Sequence, residues 1–160
     1  MKARILSLVV IAFTSLCSVS AFADDMNKEL AEFTAAIRKM YDLKEQGFAN
    51  NDPDSIVTKF YSPDAISTDP EGVTRIGTAE LLPMYQEFTP IYNVKVKSVH
   101  PYVNGDAGWD WADFAVEAKV PEEESFNIKI LFLWERVNGA WICKGDIYVM
   151  GSFEDPAPAD

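Results

Sequence analysis

The chain has 160 residues, with 25 acidic against 14 basic side chains, one histidine and two cysteines. A formal charge of −11 repels phosphate backbones and anionic lipid, which disfavours nucleic-acid and membrane partners. A single histidine and no cysteine cluster exclude the usual zinc sites, and no phosphate-binding glycine loop, dinucleotide fingerprint or nucleophilic serine motif occurs, so any activity is expected to need no cofactor.

In chain order, Lys2 and Arg4 precede the apolar run ILSLVVIAFTSLCSV, and AFA at 21–23 places small residues at a cleavage position. This is the pattern of a secretory leader over 1–23, cut after Ala23. The implied location is outside the cytoplasm, in the periplasm, with no membrane attachment after cleavage. Removal leaves 137 residues, one domain's worth, and lowers the formal charge from −11 to −13 because Lys2 and Arg4 leave with it. Only Cys143 remains, inside a strand-like segment, so an internal disulfide is impossible and a buried, inert thiol is expected.

The domain is expected over 24–153. Leu30, Phe33, Ile37, Met40, Tyr41 and Phe48 recur at helical spacing and predict an amphipathic first helix. In NNDPDSIVTKFY, Asp52 suits the cap, Pro53 the first helical position, and Ile56, Val57 and Phe60 an inward stripe. AIST (65–68) reads as a short strand and DPEG (69–72) as a turn. GTAELLPMYQEF predicts a third helix with Leu81, Leu82, Tyr85 and Phe88 on one face.

Beyond Pro90 come four long strand-like runs, IYNVKVKSVHPYV, AGWDWADFAVEAKV, SFNIKILFLWERV and AWICKGDIYVMGSF, parted by NGD, PEEE and NG. Residues 154–160 read as a flexible tail. Helices first and an antiparallel meander after them predict an α+β domain with helices on one face of a curved sheet. In SFNIKILFLWERV, Phe126, Ile128, Ile130, Phe132 and Trp134 face one way and Leu131 and Leu133 the other. A strand apolar on both faces is covered on both; the helices supply one cover, and a second copy of the chain, in a homodimer through the sheet, is the simplest other.

The segments ANNDPDSIVTKFYSPDAISTDPEG, RIGTAELLPMY and LWERVNGAWICKGDIYVM resemble the nuclear transport factor 2-like superfamily, in particular its SnoaL-like and ketosteroid isomerase-like branches. The resemblance implies a cone, three helices wrapped on a strongly curved and mostly antiparallel sheet that encloses a pocket open at one end. It also implies dimerisation through the sheet. In the isomerase branch the base is the aspartate of the DP.G segment, which is Asp69 here, with Arg75 and 77–79 in step. That reaction also needs donors for the developing oxyanion, a tyrosine and a protonated carboxylic acid. By the resemblance the acid's position holds Leu133 and the tyrosine's holds Lys44, with Tyr41 one turn away. The base is kept and its electrophilic partner lost, so ketosteroid isomerisation itself is not expected.

Each candidate has two readings. Asp69 is a general base, or a turn residue bonding its own backbone. Tyr41, Tyr61 and Tyr85 touch a ligand, or fill the core. If Trp109 and Trp111 face the pocket, period-two alternation puts Asp113 beside them and Asp110 away; otherwise the indoles pack under the helices and Asp113 sits at the strand's solvent end. Asp146 and Tyr148 share a face of the last strand, where Asp146 serves acid–base chemistry or a buried hydrogen bond. Leu133, at the acid's position, is taken as a ligand contact. The expectation is a secreted protein that binds a small, largely apolar molecule, with acid–base chemistry of the isomerase, cyclase or dehydratase type by Asp69 assisted by Asp113 or Asp146. A variant has Asp69 and Arg75 activating water on an epoxide. The rival is a non-catalytic dimeric interaction or assembly module with a filled pocket. An open cavity holding Asp69 or Asp113 would favour the first, and a filled cone the second.

Overall fold

The computed structural model describes residues 16–155. Most of the expected leader, and most of the expected tail, lie outside the described residues. Helix α1 (Leu16–Ala49) buries the predicted stripe, with Phe33, Ile37, Tyr41 and Phe48 all at most 4 % exposed. Among the described residues, no helix is long and apolar enough to cross a membrane.

Asp52 accepts a hydrogen bond from the Ser55 N–H at 3.0 Å and Pro53 opens the short helix α2 (Pro53–Ser55), as the sequence predicts. The chain then runs on as a π-helical turn, Ile56–Phe60, and not as an α-helix. The wider turn carries Ile56, Val57 and Phe60 all into the core. Strand β1 (Tyr61–Thr68) starts four residues before the predicted AIST and includes Pro63. Its parallel pairing with the last strand shifts register between Tyr61 and Ile66, so Pro63, with no N–H to donate, lies in an irregular stretch of the ladder. A short strand that the sequence reading lacked, β2 (Thr74–Ile76), returns antiparallel on β1 through the DPEG turn. Helix α3 (Thr78–Phe88) follows.

The four long runs form β3 (Tyr92–Asn104), β4 (Ala107–Ala118), β5 (Phe126–Val137) and β6 (Ala140–Met150), an antiparallel meander. The sheet order is β2-β1-β6-β5-β4-β3, with β1 and β6 the one parallel pair. Register shifts between Ser98 and His100 in β3 and between Leu133 and Trp134 in β5 mark the irregularities that bend an open sheet. The inner face carries Val94, Val96, Ala112, Phe114, Val116, Ile128, Ile130 and Phe132, all buried under the helices. Lys119, just beyond β4, holds the helices at their C-terminal ends: its Nζ donates to the carbonyls of Phe48 and Thr89 and to Asn51 Oδ1.

Gly145 is where β1 crosses closest to β6. A Cβ at this position would fall on the Ile66 carbonyl oxygen. Gly145→Ala is expected to lower stability by about 1–3 kcal/mol through this overpacking, measured as a lower urea midpoint at unchanged m-value.

Candidate functional site

The cone is not filled. A cavity of about 250 Å³ lies between α1, α3 and the inner face of the sheet. Its walls are apolar, with Phe48, Val94, Phe114, Val116, Ile128 and Ile130 among them, and the half-exposed Phe88 and Phe126 stand on its solvent side. Apart from Tyr92, whose hydroxyl donates to Glu123, its polar groups are Lys44 from α1, Ser67 from β1, Tyr85 from α3, and Asp146 and Tyr148 from β6.

All of these but Tyr148 join in one hydrogen-bonded network around Tyr61. Lys44 Nζ donates to Tyr61 Oη at 2.7 Å, and Tyr61 donates to Asp146 Oδ2 at 2.5 Å. Ser67 Oγ donates to Asp146 Oδ1 at 2.5 Å. Tyr85 Oη lies 2.7 Å from Tyr61 Oη. Tyr61 has one proton and gives it to Asp146, so Tyr85 donates to Tyr61. Tyr61 therefore accepts from two neighbours and donates to a third, and both carboxylate oxygens of Asp146 are held.

Lys44 occupies the inward stripe of α1, three residues after Tyr41 and four before Phe48, and is 2 % exposed. Its ammonium lies 4.4 Å from the Phe60 ring centre, 5.0 Å from that of Phe132 and 5.4 Å from those of Tyr85 and Phe114. Rings at this range attract a cation through their π-faces. Burial pulls the Lys44 pKa from its ordinary value to about 8, against the opposing pull of Asp146 and Cys143. Burial, then the field of Asp146, pushes the Tyr61 and Tyr85 phenols well up. Tyr148, half-buried, is pushed up to about 12, chiefly by burial and next by Asp146. The network thus offers an amine near its titration point, neutral phenols and a carboxylate, facing an apolar space.

Of the residues singled out in the sequence, the structure brings Tyr85, Asp146 and Tyr148 into the cavity wall and sets Tyr61 directly behind it. Tyr41 lies deeper, donating to Asp110 Oδ2 at 2.7 Å and packed on Phe132 and Trp134, outside the cavity wall. Four expectations need correction. Asp69 is a turn residue outside the cavity: its carboxylate accepts from the Val73 N–H at 2.8 Å and pairs with Arg75 at 3.0 Å. Partial desolvation raises its pKa, but the Arg75 and Val73 bonds outweigh that and leave it lowered. The same pairing occupies Arg75, so the pair does not face the cavity as a water-activating couple.

The face of GWDWADF is inverted. Trp109 and Trp111 lie on the outer face, 38 % and 36 % exposed, the first stacked on Tyr102 at 4.0 Å and the second edge-on to Phe153. Asp110, expected outside, is fully buried. Asp113 shares the outer face and accepts from Ser152 Oγ at 3.0 Å and the Phe153 N–H at 2.7 Å, anchoring the chain after β6. Leu133 also points outward, 47 % exposed, because its neighbours Phe132 and Trp134 take the inward positions. Sequence reasoning missed Lys44 and Ser67. The signal for Lys44 was a lysine inside an otherwise apolar helical stripe; Ser67 offered none beyond lying two residues from Ala65 on the buried face of β1.

No family model and no curated protein matches the sequence. Solved structures do match the fold. A protein of unknown function from Mycobacterium tuberculosis superposes with a TM-score of 0.69 at 11 % identity, over 78 % of this chain and 75 % of that one. An NTF-2 like protein of unknown function from Shewanella oneidensis gives 0.62 at 15 %, over 72 % and 97 %. A putative calcium/calmodulin dependent protein kinase II association domain from Xanthomonas campestris gives 0.61 at 13 %, over 76 % and 87 %.

Proposed function

We propose, from the premise of a nuclear transport factor 2-like fold, that this chain binds a small, largely apolar molecule bearing one polar end in its cone cavity. The single observation that carries the reading is the segregation of the cavity: about 250 Å³ within a mostly apolar wall, with Lys44, Ser67, Tyr85 and Asp146 gathered around one buried hydroxyl. A preformed apolar pocket with a few convergent polar groups is what a small-molecule site requires. The acid–base equipment of the reading is Asp146 with Tyr61 and Lys44, in place of Asp69. The site is proposed to work in an exported protein, on the strength of the leader-like N-terminus.

Benzyl alcohol, an apolar ring with one hydroxyl, is a suitable test molecule. Titration calorimetry is expected to show saturable binding to the parent chain. Val116→Phe, which adds a ring to the inner wall, is expected to weaken that binding at least about tenfold, a loss of about 1.4 kcal/mol, while the chain stays folded. Equal binding by both proteins would place the alcohol elsewhere.

The outer face of the sheet favours a second reading, compatible with the first. The pairing sets Trp111, Leu131 and Ile147 side by side across three strands, with Leu133 and Val149 adjacent, and Ile147 and Val149 are half-exposed. Such a face suits a second copy of the chain, and a protein described as a putative kinase association domain shares the fold. Light scattering is expected to give a dimer mass for the parent and a monomer mass for Ile147→Glu; a monomeric parent would end this reading.

A further inference from the structure

We infer that Lys44 is a covalent capture site for carbonyl compounds, its Nζ forming a Schiff base with an apolar aldehyde or ketone held in the cavity. The inference rests on the pocket reading above and goes beyond it by naming the chemical class and the atom that takes it. Three observations on the geometry support it.

Lys44 Nζ is the only amine in the cavity wall, and its placement is costly unless something uses it. The residue is 2 % exposed, and among the described residues its ammonium has one hydrogen-bond acceptor, Tyr61 Oη. An ammonium has three protons to donate, so two are left among aromatic rings and the cavity. Burial makes the cation less favoured here than in water, and the rings and Asp146 only partly offset that, in line with the lowering to about 8. The second observation is the relay. Tyr61 touches both Nζ and the Asp146 carboxylate, so a proton leaving nitrogen has a two-bond path to an acceptor that itself lines the cavity. The third is the charge balance: Lys44 is the one basic side chain and Asp146 the one carboxylic acid among the residues that line the wall. A neutral carbonyl compound leaves that balance untouched, whereas an anionic ligand would add charge to an apolar enclosure.

The step balances without an added reagent. The nitrogen lone pair forms the C–N bond as the carbonyl π pair moves to oxygen. One Nζ proton passes through Tyr61 to Asp146 and from there to that oxygen. The second follows the same route as nitrogen forms the C=N bond and the C–O bond breaks, releasing water. Amine and carbonyl thus give imine and water, and Tyr61 and Asp146 end as they began. Lys44 bonds the substrate and is catalytic in the strict sense; Ser67, which only holds Asp146, is a positioning residue.

The test is reductive trapping of the full chain with benzaldehyde and sodium cyanoborohydride at pH 8, read by peptide mass spectrometry. At that pH an amine titrating near 8 is about half neutral, against less than about 1 % for an ordinary exposed lysine. The expected result is benzylation of Lys44 at least about tenfold above the exposed Lys28 and Lys95, suppressed by excess benzyl alcohol. Lys44→Arg and Lys44→Met are each expected to lose the adduct while keeping the parent's circular dichroism spectrum and cooperative urea transition, which shows a folded chain. Tyr61→Phe is expected to slow trapping at Lys44 by about tenfold or more; an unchanged rate would overturn the relay. Binding of benzyl alcohol with benzaldehyde adducts spread evenly over surface lysines would overturn covalent capture and leave the pocket reading standing. Failure of benzyl alcohol to bind, with no adduct at Lys44, would overturn both.

Discussion

Asp146→Ala is expected to cost about 3–5 kcal/mol of stability, the largest effect of any single substitution in the site. Three groups depend on this carboxylate. Ser67 Oγ and Tyr61 Oη each lose a buried acceptor at 2.5 Å, and an unpaired buried donor costs about 1–3 kcal/mol. Lys44 loses its only neighbouring carboxylate in the cavity wall. Asp146→Asn is expected to cost less, about 1–3 kcal/mol: its amide oxygen still accepts from Ser67, and Tyr61 can turn its proton to Tyr85. The origin of the larger loss is separable. In an Asp146→Ala background the Lys44→Met substitution removes an uncompensated buried ammonium and is expected to restore stability, with a coupling of about 1–3 kcal/mol. Urea denaturation of the four proteins measures it, and additive effects would show that the two residues do not sense each other through Tyr61.

The second large effect is on pH dependence. The native chain gives up the Lys44 proton near pH 8, whereas the unfolded chain keeps it until about 10.4. Between those values unfolding takes up a proton, so the Lys44 contribution makes stability rise with pH; below pH 8 both states hold the proton and the cost is constant. Cys143 acts in the opposite sense. Burial, then Asp146, pushes its native thiol up, so the unfolded chain releases that proton first and stability falls as pH passes the ordinary thiol value. The informative quantity is therefore the parent's stability minus that of Lys44→Met. It is expected to be flat from pH 6 to 7 and to rise by about 1 kcal/mol from pH 8 to 9. A difference that stayed flat up to pH 9 would mean that Lys44 titrates as an exposed lysine does.

Much of the fold was legible in the sequence because it depends on periodicity and turn chemistry. The stripe from Phe33 to Phe48, the Asp52–Pro53 helix start and the Asn-Gly turn at 138–139, with both φ angles positive, are local signals that the structure keeps. The π turn and β2 were not legible, since the wider turn comes from packing and a three-residue strand is set by its partner. In the site, the error at GWDWADF has a physical cause. Both readings of the two tryptophans turned them inward, to the pocket or under the helices, but the parity of β4 is fixed at its other end, where Ala112, Phe114 and Val116 face Ile130, Ile128 and Phe126. Counted back from there, Asp110 is inside and both indoles are outside. Lys44 was noticed only as the place of a missing tyrosine. A lysine in an apolar stripe reads as a long stem reaching solvent, until the sheet closes over it and Tyr61 and Asp146, distant in sequence, arrive at its end.

The central claim is that the cavity is a place for a small apolar molecule. Native mass spectrometry of the parent and Val116→Phe chains, isolated side by side from the source cells, addresses it most directly. The account predicts a small apolar molecule released on denaturing the parent and absent from the filled variant. The same molecule in equal amount from both proteins, or none from either together with no binding of benzyl alcohol, would contradict it.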